Sequence, residues 1–292
     1  MLPPYLTDAS IDALVSRALE EDVGPGDVTT QATVPQGRTA AATLTAKEAG
    51  CVAGLHVAAR VFSTVDPAAR FTPQVADGAR VAAGTVVAGV HGPARALLTA
   101  ERLALNILQR MSGIATATHR MVEAVGAHDV DILDTRKTAP GLRTLDKWAV
   151  RLGGGTNHRL GLHDLILIKD NHIAAAGGIA EALDAATRAA NGRAIEIEVR
   201  TLDELDAVCT HGGAQIVLLD NMAVRTADGS VDTTRLQAAV ERVGGRMRTE
   251  ASGNVRLDTV RAIAATGVDA ISSGALTHSV RALDLSMHMD LT

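Results

Sequence analysis

From residue 130 onward the chain repeats one pattern: a short apolar run, a polar residue, then an amphipathic stretch. The apolar runs fall at 130–133, 165–168, 195–199, 216–219, 247–251 and 270–272. Helical patterns occupy 179–190, 202–209, 233–243 and 257–265. Continuous apolar runs suit strands buried on both faces, and strands alternating with helices run parallel, because each helix carries the chain back across the sheet. Six such strands exceed one mononucleotide-binding half, and no GxGxxG follows the first of them. The fold class is therefore α/β, with an incomplete (β/α) TIM-like barrel favoured over a doubly wound sheet.

Residues 1–115 follow a different rhythm, with helical patterns at 14–21 and 52–61 and a strand at 40–47. Asp77-Gly78 through Gly84 to Val86 has the DGxxVxxGxxV spacing of hammerhead turns in biotinyl and lipoyl carriers. Its tip lacks a modifiable lysine, so it reads as turn geometry alone. Leu97, Leu98, Leu103, Leu105, Ile107 and Leu108 mark a strong helix over 96–111 that leads into the barrel.

Composition removes several classes of function. With 47% hydrophobic and 21% charged residues the chain has a substantial core. One Trp, one Tyr and two Phe leave it no aromatic platform for stacking bases, and a net charge of −5 offers no field for a polyanion, so no nucleic acid is expected. The longest stretch without Lys, Arg, Asp or Glu is 14 residues, 81–94, and contains three Gly, a Pro and a His. No membrane span or signal peptide is expected. The two cysteines, Cys51 and Cys209, sit in no metal or disulfide motif, which fits a reducing cytoplasm.

Charge is uneven along the chain. Residues 135–169 carry seven cations (Arg136, Lys137, Arg143, Lys147, Arg151, Arg159, Lys169) against Asp146 and Asp164. A solvated face is the ordinary reading of a charge run. Here the cations lie among Gly, His and apolar residues, which favours a site for a strongly anionic ligand. Parallel barrels place active-site groups at the C-terminal ends of strands. Those positions hold Thr135, Arg136 and Lys137 after the first strand, Lys169 after the second, Glu196 and Glu198 on the third, and Asp220 after the fourth. The last two strands end in Ser252-Gly253-Asn254 and Ser273-Gly274-Ala275, small turns able to present backbone N–H groups to phosphate. The run Gly153-Gly-Gly-Thr-Asn-His158-Arg159 adds planar donors, and an arginine fork can grip a carboxylate. Glu198 and Asp220 are candidates for a hard cation, Mg²⁺. Glu196 and Glu198 share strand parity, and the sequence does not choose between them.

Several long motifs make the chain resemble the quinolinate phosphoribosyltransferase family. They are Asp134-Thr-Arg-Lys-Thr-Ala-Pro-Gly-Leu-Arg143, Gly153-Gly-Gly-Thr-Asn-His-Arg-Leu-Gly-Leu-His-Asp164, Ile168-Lys-Asp-Asn-His172, Glu250-Ala-Ser-Gly-Asn-Val255 and Ser273-Gly-Ala-Leu-Thr-His278. The resemblance runs over nearly the whole chain and begins at Glu21-Asp-Val-Gly-Pro-Gly-Asp-Val-Thr-Thr30. It implies an N-terminal α/β sandwich over 1–115, to which 277–292 returns, and an open, incomplete α/β barrel over 116–276. The implied activity is transfer of phosphoribosyl from phosphoribosyl pyrophosphate to quinolinate with loss of CO₂, giving nicotinate mononucleotide and pyrophosphate for NAD biosynthesis. The resemblance assigns Arg136, His158, Arg159 and Lys169 to the quinolinate carboxylates, with Thr135 and Lys137 nearby. It assigns Glu198 and Asp220 to ribose and Mg²⁺, and the two Ser-Gly turns to phosphate. Lys137 either protonates the ring carbon or holds pyrophosphate. The resemblance also implies a homodimer or higher oligomer in which Arg102 reaches the partner's site. A related phosphoribosyltransferase acting on another aromatic acid, and a non-catalytic binder on the same barrel, are the competing readings.

Overall fold

Thr7 starts the first helix: its hydroxyl accepts the Ser10 N–H, and the Ser10 hydroxyl accepts the Thr7 N–H in return. Helix α1 then spans Asp8–Val23, and Asp27 caps α2, Val28–Thr33, in a similar way. The computed structural model describes residues 2–227 and 229–291. They fall into two units: one of residues 2–119, 144–154 and 280–291, the other of residues 120–143, 155–227 and 229–279.

In the first unit, β1 (Thr39–Ala46) buries every second residue, Ala40, Ala42, Leu44 and Ala46. Period-two burial marks a strand with one face on a core. After β2 (Gly50–Cys51), helix α3 (Leu55–Val65) begins later than its apolar pattern suggests. The reason is tertiary: the Asp77 carboxylate accepts the backbone N–H groups of Gly54 and Leu55, which fixes the start of the helix. The hammerhead-like motif thus serves as a helix cap. Strands β3 (Arg70–Pro73), β4 (Arg80–Val81) and β5 (Val86–Pro93) follow, then the 32-residue α4 (Ala94–Val125), which lies in this unit up to His119.

The second unit opens with β6 (Asp131–Leu133). Helix α5 (Arg143–Leu152) belongs almost wholly to the first unit, where Asp146 is fully buried against Arg110 at 2.7 Å. The chain then alternates: β7 (Ile166–Ile168), α6 (Asp170–Ala176), α7 (Ile179–Ala189), β8 (Ile195–Val199), α8 (Leu202–His211) and β9 (Ile216–Asp220). A short hairpin, β10 (Val224–Arg225) and β11 (Val231–Asp232), precedes α9 (Thr234–Val243), β12 (Arg248–Ser252) and α10 (Val260–Ala264). Strand β13 (Ala270–Ser272) and α11 (Ala275–His278) complete it. The last strand, β14 (Leu285–Leu291), returns to the first unit and pairs antiparallel with β1, giving a sheet ordered β14-β1-β5-β3.

The six strands of the second unit are all parallel, in the order β6-β13-β12-β9-β8-β7. Pairing follows sequence order except that β6 joins β13, the last strand, and not β7. That is a barrel with one seam open, not a doubly wound sheet, in which the strand order would reverse at the middle. The seam is partly filled by irregular chain: Thr156 bridges Leu133 in parallel, its N–H donating to Ile132 O at 2.8 Å. Residues 155–159 therefore lie alongside β6 and lead towards its C-terminal end. All five residues of β8 are buried, which explains its uninterrupted low exposure despite two glutamates. Among the described residues no helix is long and apolar enough to cross a membrane.

Candidate active site

The C-terminal ends of the six parallel strands surround a cavity of about 650 Å³. Thr135, Arg136, Lys137, His158, Arg159, Lys169, Glu198, Asp220, Ser252, Gly253, Asn254, Ser273, Gly274 and Ala275 all line it, so fourteen of the fifteen candidate site residues come together. Arg102 does not: it is exposed on α4 in the first unit. Three cations of the charged segment also stay away. Arg143 bonds Thr138 and Leu160 O, Lys147 is fully buried in the first unit, and Arg151 is exposed there.

On the cationic side, the buried Asp134 organises the backbone. It accepts the His158 N–H at 2.9 Å and the Asn157 side-chain amide at 2.6 Å, so residues 157 and 158 are tied to the end of β6. Arg159 follows, with one guanidinium nitrogen on Leu165 O at 3.2 Å. Burial, and then the neighbouring charge of Arg136, holds the Arg159 guanidinium below its usual range. Arg136 Nε is itself buried with no hydrogen-bond partner. Two cations that crowd each other and have unused donors make a site that gains from an anion between them. Lys169, at the end of β7, bonds Glu198.

The parity question at β8 now has a geometric answer. Glu198 lines the cavity, where Lys169 and Arg200 pair with it, while Glu196 is fully buried and lies 3.1 Å from His158 Nε2. Asp220 accepts the Ser252 hydroxyl at 2.6 Å and lies 3.5 Å from Arg200 Nε. Glu198 and Asp220 are hard oxygen donors that now share one guanidinium, so their chemistry suits a divalent cation or a polyol. A second set of groups able to hold a metal ion is His158, Glu196 and Glu250, whose ligand atoms lie within 4.8 Å of one another. Burial and the nearby Glu196 push the Glu250 carboxyl up to about 7.

The last two turns differ in construction. At the end of β12, Gly253 has φ +84° and an added Cβ would meet Asn221 Oδ1 at 2.1 Å, so only glycine fits there. Asn221 N–H donates to Ser252 O at 2.9 Å, which locks this turn to the end of β9. At the end of β13, Ser273 N–H donates to Leu133 O, and the short α11 begins at Ala275. Thr277 Oγ1 bonds Lys137 O at 2.8 Å, joining this turn to the first cationic loop.

Arg200, Glu250 and Ser272 also line the cavity and were not among the sequence candidates. Arg200 stands directly after β8, where the signal was a cation flanked by strand-end carboxylates. Glu250 occurs within the Glu250-Ala-Ser-Gly-Asn-Val255 motif, and its strand parity equals that of Ser252.

A barrel that gathers guanidinium, ammonium, carboxylate and small phosphate-type turns in one cavity is the frame of an enzyme for anionic, phosphorylated substrates. Residues 27–112 match the model of the quinolinate phosphoribosyl transferase N-terminal domain, and 114–288 match that of its C-terminal domain. The chain belongs to the quinolinate phosphoribosyltransferase family. It is 46% identical over 298 residues to quinolinate phosphoribosyltransferase (decarboxylating) 1 of Nicotiana glauca, covering 99% of this chain and 85% of that one. It is also 45% identical to nicotinate-nucleotide pyrophosphorylase (carboxylating) of Mycobacterium leprae (strain TN), over 97% of this chain and 100% of that protein. The crystal structure of NadC from Streptococcus pyogenes superposes with a TM-score of 0.90 at 40% identity, covering 98% of this chain and 99% of that chain.

Proposed function

We propose that this chain transfers the phosphoribosyl group of phosphoribosyl pyrophosphate to quinolinate, with decarboxylation, to give nicotinate mononucleotide, pyrophosphate and CO₂ in NAD biosynthesis. The observation that carries the reading is a single cavity lined by Arg136, Arg159 and Lys169, by Glu198 and Asp220, and by two glycine-containing turns at the last strands. Quinolinate presents two carboxylates, and the paired, partly buried Arg136 and Arg159, with Lys169, suit them. His158 and Thr135 complete this wall. The turns at Ser252-Gly253-Asn254 and Ser273-Gly274-Ala275 suit phosphate oxygens.

In this reading the pyridine nitrogen attacks the anomeric carbon as pyrophosphate leaves, and positive charge develops on the ribose. Glu198 and Asp220 hold the ribose and stabilise that charge. Quaternisation of the nitrogen makes the ring an electron sink beside the C2 carboxylate, which departs as CO₂. Lys137, beside the last turn, is placed to hold pyrophosphate or to return a proton to the ring. Glu198 and Asp220 would hold Mg²⁺, directly or through ribose and pyrophosphate oxygens, and the ion would supply positive charge to offset that of the leaving pyrophosphate.

The catalytic unit is a homodimer or larger assembly of this chain, with Arg102 supplied to a neighbouring copy's cavity; its exposure on α4 supports this. Two free thiols suit a cytoplasmic location. Purified protein incubated with quinolinate, phosphoribosyl pyrophosphate and Mg²⁺ should release nicotinate mononucleotide and CO₂. Absence of any pyridine nucleotide would refute the reading, and equal turnover of nicotinate would shift it to a different aromatic acid.

A further inference from the structure

His158, Glu196 and Glu250 form a buried cluster in the wall of the cavity, and the reaction above gives the two glutamates no part. The imidazole Nε2 lies 3.1 Å from Glu196 Oε2 and 3.4 Å from Glu250 Oε2. Its Nδ1 accepts the Arg159 backbone N–H at 2.7 Å. A ring nitrogen that accepts an N–H bears no proton, so the ring proton sits on Nε2, the nitrogen that lies beside the two carboxylates. Both Glu196 oxygens are buried without a hydrogen-bond partner, which leaves Glu250 as the nearby acceptor for that proton. A doubly protonated ring would set an Nδ1–H against the Arg159 N–H. A metal ion on Nε2 meets the same obstacle, because it would drive the ring proton to Nδ1.

The cluster is therefore organised around one N–H and two carboxylates. Two buried negative charges around a neutral ring are costly, and a proton on Glu250 relieves them. Burial and then Glu196 on β8 favour that proton, while Ser272 on β13 and Arg248 on its own strand oppose it. The segment 157–159 is thus tied by Asp134 through the His158 backbone and the Asn157 amide, and its His158 ring lies against both glutamates.

We propose that Glu250 is a positioning residue for the substrate carboxylate: its carboxyl takes up the His158 Nε2–H, so that Nδ1 pins the Arg159 main chain and the guanidinium keeps its place in the cavity wall. The proposal rests on the reading of this wall as the quinolinate pocket. Glu250 acts through His158 and Arg159, so its loss affects one substrate more than the other.

The test uses the full chain and the variants Glu250→Ala and Glu250→Gln, with each substrate varied separately. Glu250→Ala should raise the quinolinate KM by about tenfold while the phosphoribosyl pyrophosphate KM stays within about twofold. Glu250→Gln, whose amide oxygen still accepts the Nε2–H, should return the quinolinate KM to within about threefold of the parent. A role in stability alone would move both KM values together and would not distinguish Gln from Ala. Nitrogen NMR of ¹⁵N-histidine-labelled protein, with His158→Asn to assign the signal, reads the tautomer without any turnover. The Nε2–H form is expected in the parent and in Glu250→Gln. An unchanged quinolinate KM in folded Glu250→Ala, or an equal rise in both KM values, overturns the proposal. So does an Nδ1–H or doubly protonated His158 in the parent, a readout that needs no variant to fold. If the parent turns over no quinolinate, the functional reading fails while the tautomer measurement still decides the geometry.

Discussion

Arg159 and Lys169 carry the same charge but not the same chemistry. The guanidinium is planar and offers a fork that matches a carboxylate, while the ammonium is a point charge that here bonds Glu198. Arg159→Ala and Lys169→Ala should each raise the quinolinate KM by about tenfold or more, with a much smaller effect on phosphoribosyl pyrophosphate. Equal effects on the two substrates would contradict the carboxylate pocket. Glu250 has a consequence for stability as well. Its carboxyl keeps a proton up to about 7 in the folded chain, against 4.5 for an ordinary exposed glutamate. Between those values the folded state binds more protons than the unfolded one. The contribution of this group to stability is complete below 4.5 and is lost as pH rises through about 7. Glu250→Gln removes that loss, so the Tm of the variant minus that of the parent should climb from about pH 5 to about pH 8. A difference independent of pH would show that Glu250 is not protonated in the native state.

Strand ends and the turns after them decide what the barrel can bind. The carboxylates at β8 and β9 face the cavity because pleating sends alternate residues the same way, and Arg200 sits between them because the chain turns immediately after Val199. That turn is held by the α8 capping box, in which the Glu204 carboxylate accepts the N–H groups of Arg200 and Thr201. The turn at Ser252-Gly253-Asn254 depends on one glycine: φ is +84° and Asn221 Oδ1 occupies the place of a Cβ. Gly253→Ala must distort the turn or push Asn221 away from the end of β9. It should raise the KM for phosphoribosyl pyrophosphate by about tenfold and leave that for quinolinate within about twofold. A selective loss of quinolinate affinity would place the phosphate elsewhere.

For the whole molecule, the decisive expectation is that a site needs two chains. On the proposed shared site, Arg102→Ala should damage the neighbour's cavity, whereas Lys169→Ala should damage the cavity of its own chain. At quinolinate well below the raised KM of the variants, where both are impaired, mixing them should therefore recover activity. Random exchange makes half of the dimers hybrid with one intact site each, or about a quarter of the parent's activity. Failure to recover any activity after exchange, checked by separable tags, would rule out a shared site.

Much of the architecture was legible in local pattern. The runs at 195–199 and 270–272 coincide with β8 and β13, and the other four barrel strands lie within one residue of their apolar runs. The long helix was visible from its leucines, although it runs on to Val125. These features are legible because burial on a strand or helix repeats with the period of the backbone itself. Strand β14, the short β3 and helix α5 were not, because their partners lie far away in sequence and their own patterns are brief. The site divides in the same way. Sequence determined which residue types stand at strand ends, and hence a cationic wall, paired carboxylates and glycine turns. Only the tertiary structure decided that Glu198 faces the cavity while Glu196 pairs with His158, and that Arg200 joins the site. It alone showed that Arg143, Lys147 and Arg151 do not line the cavity. Parity is a property of one strand; which groups meet at its end depends on how separate strands register and where the barrel stays open, and that is set by packing among residues distant in the chain.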